Sequence, residues 1–221
     1  SLYINKKKIN HILNFIGNND NSPFPINGKN ILRDNFVLPL VLINLFKQKK
    51  INFTFFLSTE IDKVDKPNEN SLYSLSKFFL QDSLRFFSTK NNISFIKIDN
   101  VYGPHDLNFN RLVPSLMLKF LFYNKKIKVN FAQKKKLVYV KNLLPIIFKT
   151  FKNKKTFNII NVKGKTYNIS KLWKNINKAL LNKHKSISKN NACYNFIETL
   201  MWYKHNLSVI KKEAKKYHKT I

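Results

Sequence analysis

The apolar positions of this chain fall into short continuous runs separated by longer stretches of helical period. Ile9 to Ile16 (INHILNFI), Ile51 to Leu57 (INFTFFL) and Ile93 to Ile98 (ISFIKI) read as strands buried on both faces. Between them, Asn30 to Lys47 is a largely apolar helix pattern. Leu72 to Lys90 forms a second, with Leu75, Phe78, Phe79, Ser83 and Phe86 near one side. Such alternation predicts a parallel sheet covered by helices. After Asn100 the pattern loosens. VYGPHD reads as a turn-rich loop, Arg111 to Tyr123 as a helix, and Ile127 to Val129 and Leu137 to Val140 as short strands. Asn142 to Phe151 is a helix pattern and Phe157 to Val162 a strand. Ser170 to Leu181 is a helix with Ser170 as the expected N-cap. From about Lys183 onward no element is assigned.

Composition sharpens this picture in three places. With 221 residues, 43% of them hydrophobic and 20 of them Phe, the chain can bury one sizeable core, or one domain plus a small lobe. The net charge of +30 suggests a polyanion partner. However, only three of the 41 basic residues are arginines (Arg33, Arg85, Arg111), and the lysines are spread along the whole chain. Planar, bidentate readout of bases and phosphates favours Arg. The lysines are therefore expected to be a solvated surface with no specific nucleic-acid partner, although weak nonspecific polyanion binding follows from the charge alone. The single cysteine, Cys193, forms no internal disulfide, fits a reducing, cytoplasmic setting, and reads as a packed thiol. The most apolar stretch, Phe36 to Phe46, is too short for a membrane span and contains Pro39 and Asn44. HILNFIGNND lacks a small-residue cleavage site, so no signal peptide is expected. The five histidines (11, 105, 184, 205, 218) are scattered, so no metal site is expected; His105 reads as a solvent-facing loop residue.

Candidate chemistry concentrates in Tyr73-Ser74-Leu75-Ser76-Lys77, with Ser58 and Thr59 closing the strand before it. Positions i and i+4 share a helix face. A free tyrosine titrates near about 10. An ammonium beside it, together with the positive end of the helix, favours the phenolate. Tyr73 and Lys77 therefore suit proton exchange in a carbonyl/alcohol interconversion. A hydroxyl from Ser58 or Thr59 would hold the substrate oxygen nearby.

These residues occur in a longer order that resembles the extended short-chain dehydrogenases/reductases, the epimerase/dehydratase group acting on nucleotide sugars. INHILNFIG resembles the family strand ending in His-Leu-Ala-Ala, with Gly17 at its last position, and Asn35 matches the asparagine of the next helix. STE, YSLSK and DNVYGPHD follow in family order. KKLVYVKN (135–142) resembles Arg-Asp-Phe-x-Tyr-Val-x-Asp, and FNII (157–160) resembles Tyr-Asn-Ile-Gly. The likeness runs from Ile9 to about Leu181. It implies Tyr73 as acid/base, Lys77 on the nicotinamide ribose, and Thr59 or Ser58 on the substrate hydroxyl, with Gly17 and Tyr73 also lining the cofactor. It further implies Asn100, Lys135 and Arg111 as nucleotide-sugar contacts, and NAD or NADP as cofactor. Lys97 and Lys135 stand in place of family arginines, Lys136 in place of an aspartate and Asn142 in place of another.

The same resemblance implies the fold: a Rossmann-like parallel sheet covered by helices, with a small C-terminal α+β substrate lobe. Residues 1–100 would be the cofactor-binding part and 101–221 mainly the substrate lobe, with 137–162 returning to the main sheet. The fold would lack its first βαβαβ unit. No GxGxxG or GxxGxxG can be written from Gly17, Gly28, Gly103 and Gly164. The family places that phosphate loop ahead of the strand at Ile9. The short segment from Thr59 to Tyr73 inclines the expectation towards a reductase or epimerase of deoxysugar nucleotides. Helices 30–47 and 72–90 are the expected homodimer surface. Two rival readings stand beside this one. The first is a non-catalytic remnant or interaction module, or half of a split enzyme. The second is a basic nucleic-acid-associated protein.

Overall fold

The computed structural model describes residues 9–19, 28–47, 50–64, 71–87, 91–122, 134–181 and 194–216. The chain divides into two compact units. One comprises residues 1–99 and 144–163, the other 100–143 and 164–221.

The first unit is built on a four-stranded, all-parallel sheet in the order β1-β2-β3-β6, formed by β1 (His11–Asn14), β2 (Asn52–Ser58), β3 (Asn92–Ile98) and β6 (Phe157–Val162). Period-two alternation sorts the β2 side chains. Phe53, Phe55 and Leu57 join Ile93 and Phe95 of β3 in one buried cluster with Ile43, Leu80 and Leu84 from the helices. Thr54 points the other way, onto Thr150 of α5 (Leu144–Phe151). Both faces are therefore covered, which is why β2 and β3 read as near-continuous apolar runs. Each fully buried Phe here contributes about 2–3 kcal/mol. The sheet, with flanking helices, is the α/β Rossmann-like fold expected.

The helix expected at 30–47 is interrupted. It runs as α1 (Gly28–Leu32), a π-helical turn (Arg33–Val37) and α2 (Leu38–Leu45). Pro39 sits at the start of α2 and has no N–H to close an α-turn on the Asn35 carbonyl, so the helix widens just before it. Helix α3 (Leu72–Phe87) follows the expected pattern. Ser71 caps it: its Oγ accepts from the Ser74 N–H, and Ser74 Oγ accepts from the Ser71 N–H in return.

The second unit holds a three-stranded sheet in the order β4-β5-β7, formed by β4 (Asn100–Tyr102), β5 (Lys134–Tyr139) and β7 (Lys165–Asn168). β4 runs parallel to β5, and β7 antiparallel to it. Around this sheet lie α4 (Leu112–Phe122), α6 (Ile169–Leu181), α7 (Tyr194–His205) and α8 (Leu207–Lys215). Their core gathers Tyr102, Phe109, Met117, Leu172, Phe196 and Tyr203. Three differences from the sequence reading have clear causes. The residue capping α6 is Asn168, whose Oδ1 accepts from the Lys171 N–H, and Ser170 Oγ donates to that same oxygen. Residues 140–143 form a 3-10 turn, so α5 begins at Leu144 and not Asn142. Helices α7 and α8 occupy the stretch left unassigned. The strand expected at 127–129 and Cys193 lie outside the described residues, as do His184 and His218. No helix among the described residues is long and apolar enough to cross a membrane.

Candidate active site

The C-terminal ends of β1 and β2 and the first turns of α3 carry the candidate chemistry of the first unit. Because Ser71 is the N-cap, Tyr73 lies in the first turn of α3, where unpaired N–H groups make the helix end positive. Lys77 follows one turn later on the same face. The Lys77 side chain is only 7% exposed. Burial strips water from its ammonium and lowers its pKa from 10.5 to about 8.

The loop after β1 is drawn tight against this lysine. A methyl group built on Gly17 would lie 3.2 Å from Lys77 Nζ and 3.2 Å from Asn35 Oδ1. Glycine therefore lets the loop backbone approach the ammonium and the amide closely. Asn35, fully buried in the π-helical turn, fixes the loop. Its Oδ1 accepts from the Asn18 N–H at 2.8 Å and its Nδ2 donates to the Asn18 carbonyl at 2.8 Å. The same Nδ2 reaches Ser76 Oγ at 3.1 Å, and Ser76 Oγ donates to the Tyr73 carbonyl at 2.8 Å. One side chain thus links the loop at 17–18 to the first turn of α3. Sequence reading had matched Asn35 to a family position without giving it a task. The signal was an amide in a largely apolar helix four residues ahead of a proline.

The two hydroxyls at the end of β2 have different duties. Ser58 Oγ accepts from the Glu60 N–H and caps a 3-10 turn (Thr59–Lys63) that packs on α3. Thr59 Oγ1 donates to Asp99 Oδ1 at 2.7 Å. Asp99 follows directly on β3, the neighbour of β2 in the sheet. Nothing in the sequence reading had singled out Asp99 or Ser76.

The three residues expected to touch the sugar nucleotide all lie in the second unit. Asn100 is exposed at the start of β4, its Nδ2 3.4 Å from the Lys136 carbonyl. Lys135 is exposed on β5, opposite Tyr167 of β7. Arg111 donates to Asp106 Oδ2 at 3.0 Å and to the Val101 carbonyl at 2.6 Å. Both of these bonds brace the loop after β4, which Tyr203 also holds by donating to the Asp106 carbonyl. In that loop His105 is exposed, has φ 68°, and lies 4.4 Å from the Trp202 ring. Among the described residues no three His, Cys, Asp or Glu side chains gather as metal ligands.

A doubly covered parallel sheet flanked by helices is an α/β Rossmann-like fold. The model of the NAD dependent epimerase/dehydratase family matches residues 3–170, and the chain belongs to that family. A search of curated proteins gives no match. Among solved structures, the chain is similar to the Bordetella bronchiseptica enzyme WbmF in complex with NADH. The two share 17% identity at a TM-score of 0.78, over 94% of this chain and 75% of that one. It is also similar to a UDP-N-acetylglucosamine 4-epimerase from Methanobrevibacter ruminantium M1 in complex with UDP-N-acetylmuramic acid (17%, TM-score 0.74, 89% and 77%). A third is the dTDP-glucose 4,6-dehydratase from Bacillus anthracis in complex with NAD (15%, TM-score 0.75, 96% and 78%). At these identities the likeness is one of fold.

Proposed function

We propose that this chain serves NAD(P)-dependent epimerisation, reduction or dehydration at a sugar carbon of a nucleotide sugar. The observation that carries this reading is the corner formed by Gly17, Asn35 and Lys77. It combines a close approach of the backbone that a Cβ would obstruct with a buried ammonium. That pairing suits a ribose hydroxyl, which accepts from an ammonium and tolerates close backbone approach. When bound, the nicotinamide supplies an acceptor for the hydride that leaves the sugar carbon. Tyr73 takes the hydroxyl proton as that carbon becomes a carbonyl, and returns it in the reverse direction. Lys77 favours the phenolate and holds the ribose. Ser58 or Thr59 orients the sugar. The first unit then carries the cofactor-side residues. The second carries the nucleotide-sugar contacts, for which Asn100 and Lys135 are the candidates. Arg111 is proposed as a contact only through the loop it braces.

Replacing Tyr73 with Phe tests this. UDP-glucose, UDP-N-acetylglucosamine and dTDP-glucose would be incubated with NAD or NADP and the chain. Turnover by the wild type, lost in Tyr73→Phe with unchanged circular dichroism, is the expected result. Equal turnover by the variant would remove Tyr73 from the mechanism.

A second reading is favoured by one specific fact: none of the four glycines forms a phosphate-binding fingerprint. On this reading cofactor binding needs a glycine-loop segment in addition to these 221 residues. NADH and NADPH titration of the chain with and without such a segment separates the two readings. As partner we propose a second copy of the chain. Leu45 (71% exposed) on α2 and Phe86 (75%) on α3, together with Val41 and Phe79, form the apolar surface it would cover.

A further inference from the structure

We propose that Lys165 is a further nucleotide-sugar contact, and that it forms with Lys135 a two-lysine clamp for the substrate diphosphate. This rests on the nucleotide-sugar part of the proposed function and adds a second cation at the same anion.

The ladder of the second unit decides which side chains share a face. β4 and β5 pair Asn100 with Leu137, while β5 and β7 pair Lys135 with Tyr167 and Leu137 with Lys165. Paired residues project to the same side of a sheet, and so do residues two apart on one strand. Asn100, Lys135 and Lys165 therefore surround Leu137 on one face, and Lys134 and Lys136 project from the other. Lys135 and Lys165 are diagonal neighbours, a relation that sets residues about 7–8 Å apart, within reach of long side chains. Both are exposed. Gly164 lets the start of β7 lie close to β5, since a Cβ there would be 2.7 Å from the Leu137 nitrogen.

Tyr167 sets the direction in which the Lys165 ammonium points. The Tyr167 ring packs edge-on against Phe196 at 5.1 Å. Lys165 Nζ lies over that ring, 5.9 Å from its centre. Tyr167 is the cross-strand partner of Lys135, so the Lys165 ammonium leans along β7 towards Lys135.

Neither ammonium has a carboxylate partner among the described residues. The acids of the second unit are Asp106, Glu198 and Glu213. Each is engaged elsewhere: Asp106 by Arg111 at 3.0 Å, Glu198 by Lys141, and Glu213 by Lys216 at 2.8 Å. Like charges on adjacent strands repel, and an anion lying between them relieves that repulsion. One lysine is a point charge without the fork of an arginine. Two of them, side by side, supply two-point contact, and a diphosphate offers one phosphoryl group to each.

The test is calorimetric titration of the chain with UDP and with dTDP, which needs neither cofactor nor turnover. Lys165→Gln and Lys135→Gln are each expected to weaken binding about three- to tenfold, the effect of one charge-assisted hydrogen bond at an exposed site. Lys165→Arg keeps the charge and should bind as the wild type does, with circular dichroism unchanged in all variants. Lys134→Gln and Lys136→Gln remove the same charge from the opposite face and should change binding by less than about twofold. Wild-type affinity in Lys165→Gln would overturn the proposal. So would an equal loss in Lys134→Gln and Lys136→Gln, because bulk charge alone would then account for the effect. Weaker binding in Lys165→Gln, together with a wild type that converts no nucleotide sugar, would support the clamp and sink the proposed activity. A wild type that binds neither UDP nor dTDP would overturn both.

Discussion

Lys77 offers the sharpest test of the site, because its proposed role and its effect on stability oppose each other. Its amine is buried in the folded chain, which lowers its pKa from 10.5 to about 8. At about 1.36 kcal/mol per pH unit, keeping the charged lysine there at neutral pH costs about 3 kcal/mol. Lys77→Met keeps an unbranched apolar stem of similar length and removes the charge. The variant should therefore be more stable than the wild type by about 3 kcal/mol at pH 7, while losing NAD(P)H affinity. The pH dependence fixes the sign. Between about pH 8 and 10.5 the unfolded chain holds a proton on Lys77 that the folded chain has released, so wild-type stability rises with pH across that window. Below about pH 8 both states hold the proton and the penalty is full and constant. The advantage of Lys77→Met should thus be greatest at pH 7 and vanish near pH 10.5. Urea denaturation of both proteins at several pH values, compared as differences, cancels the other lysines. A variant no more stable than the wild type at pH 7 would show that the ammonium is compensated in the folded chain, and the reasoning would fail.

Other consequences can be measured in the same way. His11 Nε2 must be the protonated nitrogen, since Thr54 Oγ1 gives its own proton to Thr150 and can only accept from the ring. His11 Nδ1 is then a buried nitrogen without a partner among the described residues, and burial lowers the ring's pKa below 6.5. Below about pH 6.5 the unfolded chain takes up a proton that the folded chain refuses, so stability should fall on acidification, and His11→Asn should flatten that slope; equal slopes would count against it. Asn35→Ala removes three side-chain hydrogen bonds and should cost about 3 kcal/mol, read as a lower urea midpoint together with weaker NAD(P)H binding. Gly164→Ala would place a Cβ 2.7 Å from the Leu137 nitrogen, forcing β7 off β5; a loss of about 2 kcal/mol or more is expected, and a neutral result would mean that the ladder can yield. Ser71→Ala removes the cap of α3 and should cost about 1 kcal/mol in the same assay.

Much of the fold was legible because local pattern and burial agree. β2 and β3 were visible as apolar runs because they are covered on both faces. Helix α3 was visible because its polar and apolar residues separate at helical period. Helix α7 was missed even though Phe196, Thr199, Leu200 and Tyr203 are buried at helical spacing. Ile197, Met201 and Trp202 lie between them and blur the stripe. The cap of α6 was misplaced by two residues because Asn168 and Ser170 are both good caps, and only the backbone path decides which one meets the free N–H groups.

By itself the sequence determined the class of fold, the family likeness and the nearness of Tyr73 to Lys77, since these depend on spacing within segments and on the order of segments along the chain. It also determined that no glycine fingerprint lies in these 221 residues. Only the tertiary structure decided which residues from separate segments meet. Parallel strands place their ends side by side whatever their separation in the chain, and this puts Thr59 against Asp99, while the packing of α3 against the loop after β1 puts Lys77 against Gly17. The desolvation that lowers the Lys77 pKa is likewise a property of the packed environment, and a linear sequence does not contain it.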